Sequence, residues 1–171
     1  MRVEEIMTKN VSVCTALTNA ATAAELMWIH DCGVLPVVED SERRLVGIVT
    51  DRDLFIALGT KGRNASGLTV GEVMRPNVFC CAPSDDLHGA LKIMAKQQVY
   101  RLPVVDANGA LTGILSLNDV VLHAENRQNG VGVSYEGVAK TLMAVCRRDH
   151  QRKTMQTEAS GEGSQVQGAV A

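Results

Sequence analysis

Two short stretches hold the groups best placed to do chemistry. Gly47-Ile48-Val49-Thr50-Asp51-Arg52-Asp53 and Gly113-Ile114-Leu115-Ser116-Leu117-Asn118-Asp119 share one pattern: a glycine, two aliphatics, a hydroxyl residue, two variable residues and an aspartate. The paired aliphatics read as the end of a short buried strand, and the hydroxyl residue falls where a helix would begin. Two chemistries suit such a junction. In one, Thr50 and Ser116 are N-caps, and Asp53 and Asp119 complete acidic capping boxes that serve helix stability alone. In the other, the free N–H groups and the hydroxyl receive a phosphate, the aspartate one turn on accepts hydrogen bonds from ribose hydroxyls, and the glycine lets a ligand approach the backbone.

The elements that must position these groups also come twice. Val3-Glu4-Glu5-Ile6-Met7 aligns with Val70-Gly71-Glu72-Val73-Met74 at an offset of 67, and Val34-Leu35-Pro36-Val37-Val38 aligns with Arg101-Leu102-Pro103-Val104-Val105 at the same offset. After a one-residue difference in a polar turn the offset becomes 66. Short apolar runs at 11–14 and 78–81 end in turn signals, at Thr15 to Asn19 and at Ala82-Pro83-Ser84-Asp85. Ala20, Ala23, Ala24 and Met27, like Leu87, Ala90, Leu91 and Met94, keep the spacing of one helix face, with Gly33 as the first helix's stop. Two strands follow in each half, joined by polar turns at 39–44 and 106–109. The expected fold is α+β: two β-α-β-β-α repeats, 3–58 and 69–124, packed about a pseudo-two-fold axis. A Gly-rich linker, 59–68, joins them. Units of this size have little core of their own, so the halves should pack together.

Beyond the repeats, 125–153 forms an extension. Ser134 is placed to cap a helix with Val138, Leu142, Val145 and Cys146 on one face, covering apolar surface. Arg147, Arg148, His150, Arg152 and Lys153 give it a basic end, and 154–171 has the composition of a flexible tail.

Composition narrows the function. Of 171 residues, 46% are hydrophobic and 21% charged, as in soluble globules, but only 3% are aromatic, too few for a platform that stacks successive bases. A net charge of −2 gives no general attraction to nucleic acid or membranes. Neither a basic, apolar leader nor a membrane-spanning run is present, so a cytoplasmic protein is expected. Five cysteines, odd in number and without C-x-x-C spacing, read as reduced core residues, with a redox role for the adjacent Cys80 and Cys81 as the alternative. His30, His88, His123 and His150 have no second ligand at metal spacing. No catalytic constellation, Walker motif or dinucleotide-binding glycine motif can be assembled, so no enzyme, catalytic cofactor or metal site is expected.

Taken together, the repeated V-x-E-(I/V)-M opening, the repeated L-P-V-V strand and the repeated G-h-x-(T/S)-x-x-D signature resemble a tandem pair of CBS domains, the family named for cystathionine β-synthase. The resemblance covers about three quarters of the chain. It implies a regulatory, energy-sensing type of module whose two clefts, each built from both halves, bind adenosine-containing ligands such as AMP, ADP, ATP, NAD or S-adenosylmethionine. Carried over residue by residue, one cleft would use Thr50 and Asp53 with Val78, Phe79, Tyr100 and Pro103. The other would use Ser116 and Asp119 with Val11, Ser12, Val34 and Pro36. Arg101 stands where many members place a phosphate-contacting base, and its forked guanidinium suits phosphate. It is assigned to the cleft of Thr50 and Asp53, which a phosphorylated nucleotide should therefore prefer. The resemblance also implies a homodimer and, with no fused effector domain, a separate target protein. The alternative is a constitutive scaffold with vestigial clefts.

Overall fold

A computed structural model describes residues 1–39, 41–125 and 132–147. The expected tail, most of the loop before the last helix, and Arg148, His150, Arg152 and Lys153 lie outside the described residues.

Each repeat is built on one antiparallel hairpin flanked by two helices. In the first, α1 (Ala20–Ile29) leads to β1 (Val34–Glu39), β2 (Arg44–Thr50) and α2 (Asp51–Lys61); in the second, α3 (Leu87–Gln97) leads to β3 (Arg101–Val105), β4 (Leu111–Ser116) and α4 (Leu117–Leu122). The strand expected before α1 and α3 is reduced to a single parallel bridge in each repeat, Cys14 to Val37 and Cys81 to Val104. A final helix, α5, spans residues 135–147.

Local sequence accounts for the boundaries. Asn19 accepts a hydrogen bond from the Thr22 amide at 2.9 Å and Asp86 one from the His88 amide at 3.0 Å, starting α1 and α3. The two helices stop alike: Asp31 (φ 47°) and Gln98 (φ 54°), equivalent at the offset of 67, turn left-handed, so Asp31 rather than Gly33 ends the first. α2 runs three residues into the expected linker because Gly62, at φ 59°, is the residue that can end it.

The two repeats do not keep their own leading segments. Val3 and Ile6 are buried in the cluster of the second repeat with Leu87, Met94, Leu102 and Leu115, whereas Leu68 and Val70 belong to the cluster of the first with Ala23, Leu35 and Val49. The backbone shows the same exchange, with Thr8 bridging to Ile114 and Arg75 to Ile48. Each fully buried Leu or Val in these clusters is worth about 1.5–3 kcal/mol relative to exposure, so the exchanged segments tie the repeats together. The hairpins also meet at their turns, where the Leu45 amide donates to the Gly109 carbonyl at 3.1 Å and the Leu111 amide to the Arg43 carbonyl at 3.0 Å.

This exchange explains the signature glycines. A Cβ on Gly113 would stand 2.7 Å from Met7 Sδ and 2.8 Å from the Thr8 carbonyl oxygen, and one on Gly47 would stand 2.8 Å from Met74 Sδ. The space a ligand was expected to use is taken by the other segment's methionine.

Candidate functional site

Both strand-to-helix junctions form the same hydrogen-bonded unit, and it reconciles the two chemistries open at the sequence level. Thr50 Oγ1 accepts from the Asp53 amide at 3.2 Å, while Asp53 Oδ2 accepts from the Thr50 amide at 3.2 Å and from its hydroxyl at 2.6 Å. In the second repeat the Asp119 amide donates to Ser116 Oγ at 3.2 Å, and Asp119 Oδ2 receives the Ser116 amide at 2.8 Å and hydroxyl at 2.6 Å. These are capping boxes. They use only one carboxylate oxygen of each aspartate, and the other is turned away from the cap.

What meets that other oxygen differs between repeats. Asp53 Oδ1 receives the Arg75 guanidinium through Nη2 at 2.6 Å and Nε at 3.2 Å. Asp119 Oδ1 meets the Thr8 hydroxyl at 3.5 Å, the outer limit of a hydrogen bond. Thr8 and Arg75 are equivalent residues, each following the methionine of its leading segment, so the exchanged segment decides what faces the aspartate. Burial pushes the Asp53 carboxyl up, but the bonds and charge of Arg75 and the bonds of Thr50 outweigh it and hold the group below the ordinary carboxylate value.

The Ser116–Asp119 side opens into a cleft of about 330 Å³, within the range of small-molecule sites. Both halves supply its wall: Thr8, Asn10, Val11 and Ser12 come from the leading segment, His30, Asp31, Cys32 and Val34 from the end of α1 and the start of β1, and Arg101, Ile114, Ser116 and Asp119 from the second repeat. Val11, Ser12, Val34, Ser116 and Asp119 are thus brought together as grouped from the sequence. Pro36 is buried opposite Ile48 and is not part of this wall.

Arg101 is the main correction. It borders the cleft of Ser116 and Asp119 rather than being set apart with Thr50 and Asp53. The register explains why: Arg101 opens β3 directly opposite Ser116, the N-cap of α4. The cation beside Asp53 is Arg75.

The remaining expected residues of the Thr50–Asp53 side are spread out. Val78 is half-buried and Phe79 exposed; they follow Arg75 in the chain as Val11 and Ser12 follow Thr8. Pro103 is buried opposite Ile114, with its carbonyl accepting from the Cys81 amide at 3.2 Å. The Tyr100 hydroxyl points to α5, 3.5 Å from Cys146 Sγ.

Sequence reasoning missed Thr8, Asn10, His30, Asp31, Cys32 and Ile114 as lining residues and Arg75 as a partner of Asp53. The contrast of Thr8 with Arg75 was available at the offset of 67, next to the matched methionines. For the cysteines, burial pushes the Cys81 thiol up to about 12 and Cys14 up to about 11, and raises Cys80 as well, which disfavours the thiolate that redox chemistry needs. Among the described residues no group of three or more His, Cys, Asp or Glu could hold a metal ion, and no helix is long and apolar enough to cross a membrane.

The sequence and fold have recognisable relatives. The chain is similar to the CBS domain-containing protein YhcV of Bacillus subtilis, with 37% identity over 128 residues that cover 74% of this chain and 88% of YhcV. Its fold is similar to the crystal structure of CBSX2 from Arabidopsis thaliana in complex with AMP (TM-score 0.62, 34% identity, 71% of this chain and 93% of that one). It is also similar to the CBS domain pair of protein MJ0100 in complex with 5'-methylthioadenosine and S-adenosyl-L-methionine (TM-score 0.64, 26% identity, 71% and 94%). The CBS domain family model matches twice, at residues 3–60 and 70–126, over the two repeats that carry these junctions, and the chain belongs to that family as a tandem pair.

Proposed function

We propose that this chain is a non-catalytic regulatory module that binds an adenosyl ligand, with the Ser116–Asp119 cleft as its principal site. The observation that carries the reading is the division of labour within Asp119: Oδ2 is fixed by the cap of α4, leaving Oδ1, which among the described residues meets the Thr8 hydroxyl at the long distance of 3.5 Å, to accept a ribose hydroxyl. Arg101 lies on the same cleft and suits a phosphate, while Val11 and Val34 offer apolar surface to an adenine ring. Occupancy of related CBS pairs by AMP and by S-adenosylmethionine supports the ligand class, and AMP, ADP, ATP, NAD and S-adenosylmethionine are the ligands to compare.

The cleft is closed by segments of both repeats, so a ligand that fits one arrangement of the halves better than another shifts the population toward it. A change in homodimer association or in contact with a separate target protein in the cytoplasm would convey that shift.

Calorimetric titration with the five ligands tests the reading. Asp119→Ala should weaken binding roughly 10- to 100-fold, the worth of one or two hydrogen bonds to a charged group. Arg101→Ala should weaken AMP and ATP while leaving adenosine unchanged. Heats equal to dilution for every compound would overturn it in favour of a scaffold with vestigial clefts.

A further inference from the structure

One wall of the Ser116–Asp119 cleft is tied at its two ends and at a single point between them. Thr8 bridges to Ile114 and Cys14 to Val37, and residues 9–13 run between these bridges without belonging to a strand or helix. Asn10, Val11 and Ser12 of this stretch line the cleft. Among the described residues, one hydrogen bond reaches residues 9–13 from elsewhere in the chain: Arg43 Nη2 donates to the Val11 carbonyl at 3.1 Å.

Arg43 stands immediately before β2, in a backbone conformation that favours glycine. Among the described residues, those other than glycine with positive φ are Asp31 (47°), Gln98 (54°) and Arg43 (59°). Asp31 and Gln98 are a matched pair at helix ends. Arg43 instead matches Gly109, at φ 80°, by the offset of 66 and by reciprocal bonds, since the Leu45 amide donates to the Gly109 carbonyl and the Leu111 amide to the Arg43 carbonyl. The first repeat thus holds a long side chain where its counterpart has none, at a cost in backbone strain. What that side chain gains is the bond to Val11. The carbonyl of Val78, the equivalent of Val11, meets Cys80 Sγ at 3.6 Å and no arginine.

We propose that Arg43 is a positioning residue of the Ser116–Asp119 cleft: it fixes Val11, against which an adenine ring packs, and so raises affinity for the adenosine part of a ligand. Arg43 does not line the cleft itself, so its effect passes through Val11. Its carbonyl accepts from Leu111, the first residue of β4, whose last residue is Ser116. One residue therefore joins the Val11 wall to the strand that carries the cap. A wall fixed beforehand need not be ordered on binding, and that saving appears as affinity. The inference rests on the reading of this cleft as an adenosyl site.

The test compares Arg43→Gly, which suits the left-handed turn but removes the donor, with Arg43→Lys, which keeps one. Without ligand, cleavage after the exposed Lys9 by a lysine-specific protease, read by mass, should be at least threefold faster in Arg43→Gly than in wild type, with Tm not lowered. In calorimetry, adenosine should bind Arg43→Gly about threefold to tenfold more weakly, the worth of one hydrogen bond, and Arg43→Lys as it binds wild type. The ratio of AMP to adenosine affinity should be the same in wild type and Arg43→Gly; a fallen ratio would make Arg43 a phosphate contact and overturn the positioning role. Unchanged cleavage, or a loss of affinity accompanied by a lowered Tm, would also overturn the proposal. Equal adenosine binding by wild type and Arg43→Gly would sink this inference alone, whereas a wild type that binds no adenosyl ligand would sink the reading of the cleft and this inference with it.

Discussion

The Arg75 guanidinium holds Asp53 Oδ1 at 2.6 Å, in the place where the equivalent Thr8 reaches Asp119 Oδ1 only at 3.5 Å. Two junctions with the same signature are therefore chemically unlike. A ribose hydroxyl that seeks Asp53 must displace a cation from a carboxylate that is only 11% exposed, whereas at Asp119 it competes with a weak hydroxyl contact.

Replacing Arg75 by the residue its counterpart carries should make the two junctions alike. Removing the cation from so enclosed a carboxylate removes a competitor worth on the order of 1 kcal/mol or more, equivalent to about a fivefold to tenfold change in affinity. In Arg75→Thr, titration with adenosine is expected to reveal a second site of affinity comparable to the first. Stoichiometry and affinity identical to wild type would show that Arg75 does not restrict access to Asp53.

The same pair makes an acid-dependent contribution to stability. The folded-state pKa of Asp53 is depressed, so its contribution is complete above the unfolded value of about 4 and is lost as the pH falls through the lower folded value. Asp53→Asn weakens the cap and abolishes the ion pair, and a loss of about 1 kcal/mol lowers Tm by roughly 2–4 °C in a chain of this size. Melting curves at pH 7 should show that difference, and curves toward pH 3 should show it shrinking. A difference that grows on acidification would reverse the sign of the argument.

The cysteines should separate by burial rather than by their adjacency in sequence. Cys14 and Cys81 are buried with thiols raised to about 11 and about 12, while Cys146 is exposed. Modification of the native protein by a thiol-specific disulfide reagent at pH 8 is expected to label Cys146 quickly and to reach Cys14 and Cys81 only on unfolding. Rapid native labelling of Cys81 would mean that the second repeat opens readily around Val104, where the Cys81 bridge lies.

Much of this architecture could be read in the sequence because it is local. Thr50 with Asp53 and Ser116 with Asp119 are three residues apart, so helix geometry alone brings them together, and the hairpins follow from alternating runs and turn residues. Other features depend on which repeat a segment joins. Val3 to Thr8 read as the opening of the first repeat, but their apolar side chains complete the core of the second, and no periodicity encodes that exchange. The placement of Arg101 had the same difficulty: the offset identified its counterpart, Val34, but not the cleft its side chain borders. The face of α5 was read as Val138, Leu142, Val145 and Cys146, whereas Thr141 is buried and Leu142 and Cys146 are exposed. A hydroxyl that can donate back to its own helix, here to the Gly137 carbonyl at 3.0 Å, can be buried where simple apolar patterning would not put it.

The exchange also ranks the two signature glycines. A methyl group on Gly47 meets chiefly Met74 Sδ at 2.8 Å, the far end of a flexible side chain, with the Arg75 carbonyl oxygen at 3.1 Å. On Gly113 it meets Met7 Sδ at 2.7 Å and also the Thr8 carbonyl oxygen at 2.8 Å, which is backbone and cannot rotate aside. That carbonyl accepts from the Ile114 amide at 2.9 Å, so relieving the overlap strains the bridge that carries Thr8 to Asp119. Gly113→Ala is therefore expected to cost about 1–3 kcal/mol, the range for overpacking a filled interior, and Gly47→Ala distinctly less. Denaturant midpoints give the ranking directly. Met7→Ala should relieve little of the Gly113→Ala cost, because the carbonyl contact remains; full rescue by Met7→Ala would show the side chain, not the backbone, to be the obstacle.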